Sequence, residues 1–322
     1  MMHRHAMGKE GLILSIIAAI VMVAGVYIFA CPAQVTGELG IFLPSPNLWN
    51  LSPFLSHLLT LTMIAATTIL LYVANKKYTF VTGSDTVFMG MFLVMCSSNV
   101  WLSDRFSSSF IFAIANVICL MILFDCYRKS NATQELFLIA TIISLGSMIQ
   151  YAFLALIVVY LLGAVMLKCF SFRGLIAFGM GLVAPYWVAI GLGIVPYTNF
   201  RMPEFSIIFN SAYSAGGILV SMINIGLTCI VGLIMALNNM VKLYAGNTQR
   251  RLNNMVINLL GVVSLICMLV DFNNIIAYLA TIYMIVAIQL AHLFTLWNIR
   301  RAPVWLLIIS LLYVGGYVLM LL

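Results

Sequence analysis

Six charged side chains lie in the segments that the charge pattern assigns to one face of a membrane: the acids Glu38, Asp104, Glu204 and Asp271 and the bases Arg105 and Arg201. An enzyme drawing a group from a lipid phosphate needs such a set. A carboxylate takes a proton from the acceptor or holds a divalent cation, and a guanidinium pairs with phosphate. Glu38, Asp104 and Asp271 are therefore the candidate catalytic acids. Arg105, Arg201 and Glu204 are candidate substrate-binding residues, joined by His57 and Gln150, which lie inside apolar runs where polar groups are costly. The plainer reading of these charges is a set of solvated loops. Asp104-Arg105 then forms a turn, and Arg201 with Glu204 a rim ion pair worth under about 1 kcal/mol.

His57 and His292 have no second histidine or carboxylate at i+3 or i+4, so a metal cage of histidines is not expected and a structural hydrogen bond is the simpler role. Asn99, Asn116, Gln150, Asn224 and Gln289 are intramembrane amides, a type that commonly joins helices. Gln150 stands out because it falls at a proposed helix hinge, where irregular backbone must line a cavity or be satisfied by protein. The sequence contains no phosphate-binding glycine loop, no HExxH and no serine elbow, so no nucleotide cofactor is indicated.

These residues must be positioned by an unusual chain. Of its 322 residues 64% are apolar and 7% charged, with a mean hydropathy of +1.14, against roughly 25% charged for an ordinary soluble domain. That composition excludes a soluble enzyme and identifies an integral membrane protein. The net charge of +7 comes from isolated basic residues and pairs between apolar runs. It reads as retention of lysine and arginine on the cytoplasmic side rather than as a nucleic-acid surface. The paired bases could also meet anionic headgroups. Seven cysteines without a CxxC pair suggest neither a zinc site nor a disulfide framework.

Uncharged runs at 11–31, 54–74, 86–102, 110–126, 174–196, 205–241, 255–270, 272–299 and 302–322 can each cross a membrane. The run 136–167 is too long for one upright helix, at about 48 Å from ~1.5 Å per residue. Bases flank it on both sides, so it should cross twice, as two short helices hinged near 146–151. Run 205–241 needs one crossing, with 205–213 along the outer interface. The expectation is an all-α bundle of about eleven spans in one domain over 1–322, with the N-terminus inside and the C-terminus outside. Thirteen bases then face the cytoplasm and two, Arg105 and Arg201, face out.

Residues 135–193 contain a helix ending in a glycine-containing hinge, a long apolar helix, the basic turn CFSFRG (169–174) and G-x-x-x-P-Y (181–186). This pattern resembles an uncharacterised family of bacterial inner-membrane proteins, and 75–116 resembles it loosely. The same pattern is similar to GT-C membrane glycosyltransferases. That similarity implies a polyprenyl-phosphate-linked sugar as donor, reaction at the external face, a bacterial inner-membrane location and an acid in the first external loop acting as base or metal ligand. Here that loop is 32–53 and its only acid is Glu38. A closely spaced second acid and a large external domain, common in that superfamily, are lacking. Two other readings stand beside it. A non-catalytic subunit of an envelope assembly would suit the scarcity of charge and the twenty Met and twenty Phe. A lipid or solute transporter would suit the hinge, Pro185 and the scattered amides, although no internal repeat is evident.

Overall fold

The computed structural model describes residues 2–29, 40–81, 85–202, 215–243, 247–295 and 302–321. Within them the chain is helical with no strand, as closure of backbone hydrogen bonds within each segment requires in a lipid environment. The helices are α1 (Met2–Phe29), α2 (Pro53–Tyr78), α3 (Asp85–Ser98), α4 (Val100–Ser103), α5 (Ser108–Asp125) and α6 (Thr133–Ile149). They continue with α7 (Leu156–Met166), α8 (Phe172–Gly191), α9 (Ala215–Leu243), α10 (Thr248–Val270), α11 (Ile275–Thr295) and α12 (Ala302–Leu321). Eight of them are long and apolar enough to cross a membrane: α1, α2, α5 and α8 to α12.

Local chemistry sets several boundaries. Ser52 caps α2 by accepting from the Leu55 amide, with Pro53 at the first helical position. Asn247 accepts from the Gln249 amide at the start of α10, and Ser171 accepts from Gly174 at the start of α8. Two helices break short of full length. After α3, Asn99 turns extended (φ −87°, ψ 108°), and the chain resumes as α4. After α6, Gln150 does the same (φ −149°, ψ 115°), followed by a 3-10 turn at Tyr151–Ala155 and then α7. The hinge expected at 146–151 is therefore a break at Gln150. The uncharged run 86–102, read as one segment, is a second broken helix.

The core is built around α3 and α11. Every residue of 90–104 and of 277–292 is buried, α3 among α1, α2, α11 and α12, and α11 among α3, α5, α9 and α10. α6 pairs closely with α8, where a Cβ on Gly181 would lie 2.5 Å from the Phe137 carbonyl oxygen. The outward faces of α1, α9 and α12 are apolar, with Leu14, Phe29, Leu237, Val241, Leu307 and Leu319 exposed. An apolar belt of this extent is a surface for lipid rather than water.

Cross-chain bonds gather the connecting segments into two ends. At one, the Phe106 amide donates to Ser56 Oγ at 2.8 Å, the Phe42 amide to the Met148 carbonyl at 3.2 Å, and the Arg201 amide to the Ile41 carbonyl at 2.9 Å. At the other, Lys77 meets Asp125 at 2.7 Å, the Tyr78 hydroxyl donates to the Met121 carbonyl at 2.6 Å, and the Arg128 amide to the Leu167 carbonyl at 3.0 Å. Segment 205–213, read as interfacial, lies outside the described residues.

Candidate functional site

The first end holds the most demanding polar group in the described chain. Asp271 follows α10 and is fully buried (0% exposed). Its Oδ2 accepts from the Tyr151 hydroxyl at 2.6 Å and from Asn274 Nδ2 at 2.9 Å, and Asn274 Nδ2 also reaches the Tyr151 oxygen. Asp271 Oδ1 and Asn274 Oδ1 are buried without a hydrogen-bond partner. The break at Gln150 brings Tyr151 here. Had α6 continued helically past Ile149, Tyr151 would have stayed on the α6 cylinder; instead the extended Gln150 swings the phenol toward the α10–α11 turn.

Gln150 itself is fully buried, and both polar atoms of its carboxamide lack a partner. An unsatisfied buried donor or acceptor costs on the order of 1–3 kcal/mol, so this short region concentrates orphaned polar groups. Around it lies a small apolar cluster of Ile41, Phe42, Met148, Tyr151, Ala189 and Val195, separate from the main core. One helix turn below, Ser147 Oγ and the Tyr186 hydroxyl share a hydrogen bond of 2.5 Å, and Ser144 Oγ donates to the Leu182 carbonyl at 2.7 Å. Arg201 is exposed at the rim, its backbone tied through Ile41 to the end of α6.

The structure thus brings Gln150 and Asp271 into one neighbourhood, linked by Tyr151, and places Arg201 on the same end. Asp104 is buried at the end of α4, while Arg105 beside it is half-buried, so the acid of this pair is not the solvated turn residue that its sequence suggests. Neither Arg105 nor Arg201 lies within ion-pair distance of Asp271. His57 sits in the first turns of α2, with Nδ1 2.8 Å from the Pro53 carbonyl and its ring against Tyr27. Glu38 and Glu204 lie outside the described residues. Among the described residues no three His, Cys, Asp or Glu side chains converge on a metal position.

The amides divide as packing dictates. Asn99 Nδ2 donates to the Tyr283 hydroxyl at 2.7 Å, and Asn116 Nδ2 to Thr281 Oγ1 at 3.3 Å. Gln289 anchors a larger network: its Nε2 donates to Asn254 and Asn258, at 2.9 and 2.8 Å, and its side-chain oxygen accepts from Asn239 at 2.9 Å. Tyr151, Asn274 and the asparagines of α10 are the polar groups that residue-by-residue reading missed. The i, i+3 spacing of Asp271 and Asn274 at a helix start, and the i, i+4 spacing of Asn254 and Asn258, were the available signals.

At the opposite end Lys76 meets Asp85, Lys77 meets Asp125 and Lys129 meets Glu135, at 2.9, 2.7 and 2.9 Å. The hydrogen bond to Glu135 raises the Lys129 ammonium above its ordinary pKa. Cys126 is pushed up by its contact with the Cys169 thiol and by burial.

The chain finds no match among protein-family models, curated proteins or solved structures. Its chemistry therefore rests on this geometry, and among the described residues the chain is all-helical, with eight helices long and apolar enough to span a membrane.

Proposed function

We propose that this protein is a membrane transferase of the GT-C type, acting on a polyprenyl-phosphate-linked sugar at the external face of a bacterial inner membrane. The observation that carries the reading is Asp271: a fully buried carboxylate with one oxygen held by Tyr151 and Asn274 and the other buried without a hydrogen-bond partner. A fixed carboxylate with one unpaired oxygen suits a general base once an acceptor hydroxyl reaches it. Tyr151 and Asn274 hold the group in place. Arg201 and Arg105 serve the donor phosphate, and Glu38 and Asp104 assist.

The sidedness belongs to the same proposal. The eleven crossings expected from the charge pattern, with the N-terminus inside, would be assigned to α1 to α3 and α5 to α12. On that arrangement Lys76, Lys77, Arg128, Lys129, Lys168, Arg173, Lys242, Arg250 and Arg251 lie on the cytoplasmic side, in keeping with retention of bases during insertion. Reporter fusions test it. Activity of an extracytoplasmic reporter at Leu322 is expected, and the same activity at Met1 would contradict it.

The reaction is tested with inner-membrane vesicles and a radiolabelled polyprenyl-phosphate sugar. Replacement of Asp271 by Asn should lower transfer at least 10²-fold, the lower range for a lost general base, while extraction yield and thermal midpoint stay near the parent values. Retained transfer would remove Asp271 from the chemistry. The rival reading, a non-catalytic subunit, draws on the same contacts, because Tyr151 and Asn274 also make Asp271 a link between the α6–α7 break and the α10–α11 turn. It expects no transfer from the parent protein and a stoichiometric partner on purification.

A further inference from the structure

Three helices bring polar residues together at the end of the bundle opposite Asp271. Asn239 Nδ2 donates to Gln289 Oε1 and to the Gln289 carbonyl, both at 2.9 Å, and Gln289 Nε2 donates to Asn254 Oδ1 at 2.9 Å and Asn258 Oδ1 at 2.8 Å. These bonds fix α9, α10 and α11 against one another through a buried layer of amides. One turn outward from that layer each helix carries a basic residue: Lys242 three positions after Asn239, Arg250 four before Asn254, and His292 three after Gln289. Side chains three or four apart share a helix face, so these residues surround the mouth of the amide layer. Arg250 lies within electrostatic range of the His292 ring. Lys242 is exposed, and Arg250 and its neighbour Arg251 are half-buried, so a ligand at the membrane surface can reach all three.

The charge of this corner is one-sided. Segments 215–270 and 275–295 contain no acid, and the single acid of 205–322 is Asp271, 21 residues after Arg250, about 30 Å along α10 at ~1.5 Å per residue. Asp85, Asp125 and Glu135 are engaged with Lys76, Lys77 and Lys129. Retention of bases during insertion accounts for the side of the membrane on which Lys242, Arg250 and Arg251 lie, but not for their helical positions. Lys242 suits the negative C-terminal end of α9. Arg250 and Arg251 do the reverse: they occupy the first turn of α10, which has no acid, where the helix already presents positive charge and an anion is the favoured neighbour. Arg250 Nε is moreover a buried donor without a hydrogen-bond partner. Guanidinium forks match the oxygens of phosphate. Beside Lys242 the outer face of α9 is apolar and exposed at Ile230, Leu233, Leu237 and Val241, a track that suits acyl chains.

We propose that Arg250, Arg251 and Lys242 form a binding site for the phosphate group of an anionic phospholipid, at the corner where α9, α10 and α11 meet. The arginines take the phosphate oxygens and Lys242 adds a point charge. The amide layer holds the three helices at a fixed spacing, and the acyl chains follow the outer face of α9. The site shares no residue with the transferase reading and its test uses no lipid-linked sugar, so the two fail separately.

The experiment measures the thermal midpoint of the purified full chain in uncharged detergent against dioleoylphosphatidylglycerol, dioleoylphosphatidylcholine and inorganic phosphate, with retained lipid counted by native mass spectrometry. Phosphatidylglycerol should raise the midpoint saturably, and less so at high salt, which screens charge pairing. Phosphatidylcholine, whose phosphate is balanced by its own choline, should not. Arg250→Gln combined with Arg251→Gln should raise the half-saturating concentration about 10-fold or more. Lys76→Gln combined with Lys77→Gln removes the same charge from bases that have acid partners and should leave it unchanged. Lys242→Gln, at an exposed position, should raise it about 5-fold and covers the case in which the double arginine variant does not fold. Equal half-saturating concentrations in the parent and in the Arg250, Arg251 and Lys242 variants that fold would overturn the proposal, as would equal responses to the two lipids. A response to inorganic phosphate matching that to phosphatidylglycerol would assign the site to a free anion and overturn the lipid source.

Discussion

The acids at the two ends of the bundle are treated in opposite ways. Asp85, Asp125 and Glu135 each meet a lysine, and both members of every pair remain partly exposed, with side-chain exposures from 23% to 59%. Pairs of this kind contribute little, because water and salt screen them. Asp271 is fully buried and has a phenol and a carboxamide in place of a base. The first group of acids is the ordinary dressing of a solvated face. The second is a buried polar centre held by Tyr151 and Asn274. The contrast separates charge that is tolerated from charge around which the local structure is organised: a helix break, a satellite apolar cluster and three elements converge on Asp271, whereas the lysine pairs join neighbouring helix ends.

The difference can be broken experimentally, the largest expected effect first. On the transferase proposal, replacing Asp271 by Asn should cost about 10²–10⁴ in transfer rate; vesicle assays measure it, and equal loss on replacing Asp125 by Asn would erase the distinction between the ends. Next comes Gln289→Leu, which deletes three buried side-chain hydrogen bonds. At roughly 0.6 kcal/mol each in a membrane protein, with amides left orphaned, it should destabilise by about 2–3 kcal/mol. Reversible unfolding in mixed micelles reads this, and a change under about 0.5 kcal/mol would mean that the amide network is loosely held. Gly181→Ala presses a methyl group against the Phe137 carbonyl and the Ala140 side chain. It should cost about 1–2 kcal/mol through separation of α6 from α8, seen as a lower midpoint. Smallest of all, Lys77→Ala breaks the exposed pair with Asp125 and should leave the midpoint unchanged within error. A clear loss there would show that the lysine pairs are structural after all.

How much of this was legible beforehand depends on the range of the interaction. The break at Gln150 could be read from length and charge alone, because thirty-two uncharged residues between two basic flanks cannot be one upright crossing. The break at Asn99 could not. The run 86–102 is long enough for a single span, and Asn99 leaves the helix where its side chain caps Trp101 and reaches Tyr283, 184 residues away. Asp271 was recognisable as an acid between two apolar runs, but not its burial, since Tyr151 is 120 residues distant in the chain. Asp104 shows the same limit. Next to Arg105 it reads as a turn residue, yet it is buried beneath neighbouring helices. Glu38, the acid to which family resemblance points first, lies outside the described residues, and Asp271 now carries the argument in its place.

By itself the sequence determined that this chain is helical and membrane-embedded. Hydropathy is a local sum over about twenty residues, and a helix closes its backbone hydrogen bonds within the same segment, so neither property needs a distant partner. Only the tertiary structure decided which acids have a base and which do not, and which amides bond across helices. Those outcomes depend on the packing of segments more than a hundred residues apart, where one extended residue in a broken helix is enough to bring a phenol to a carboxylate.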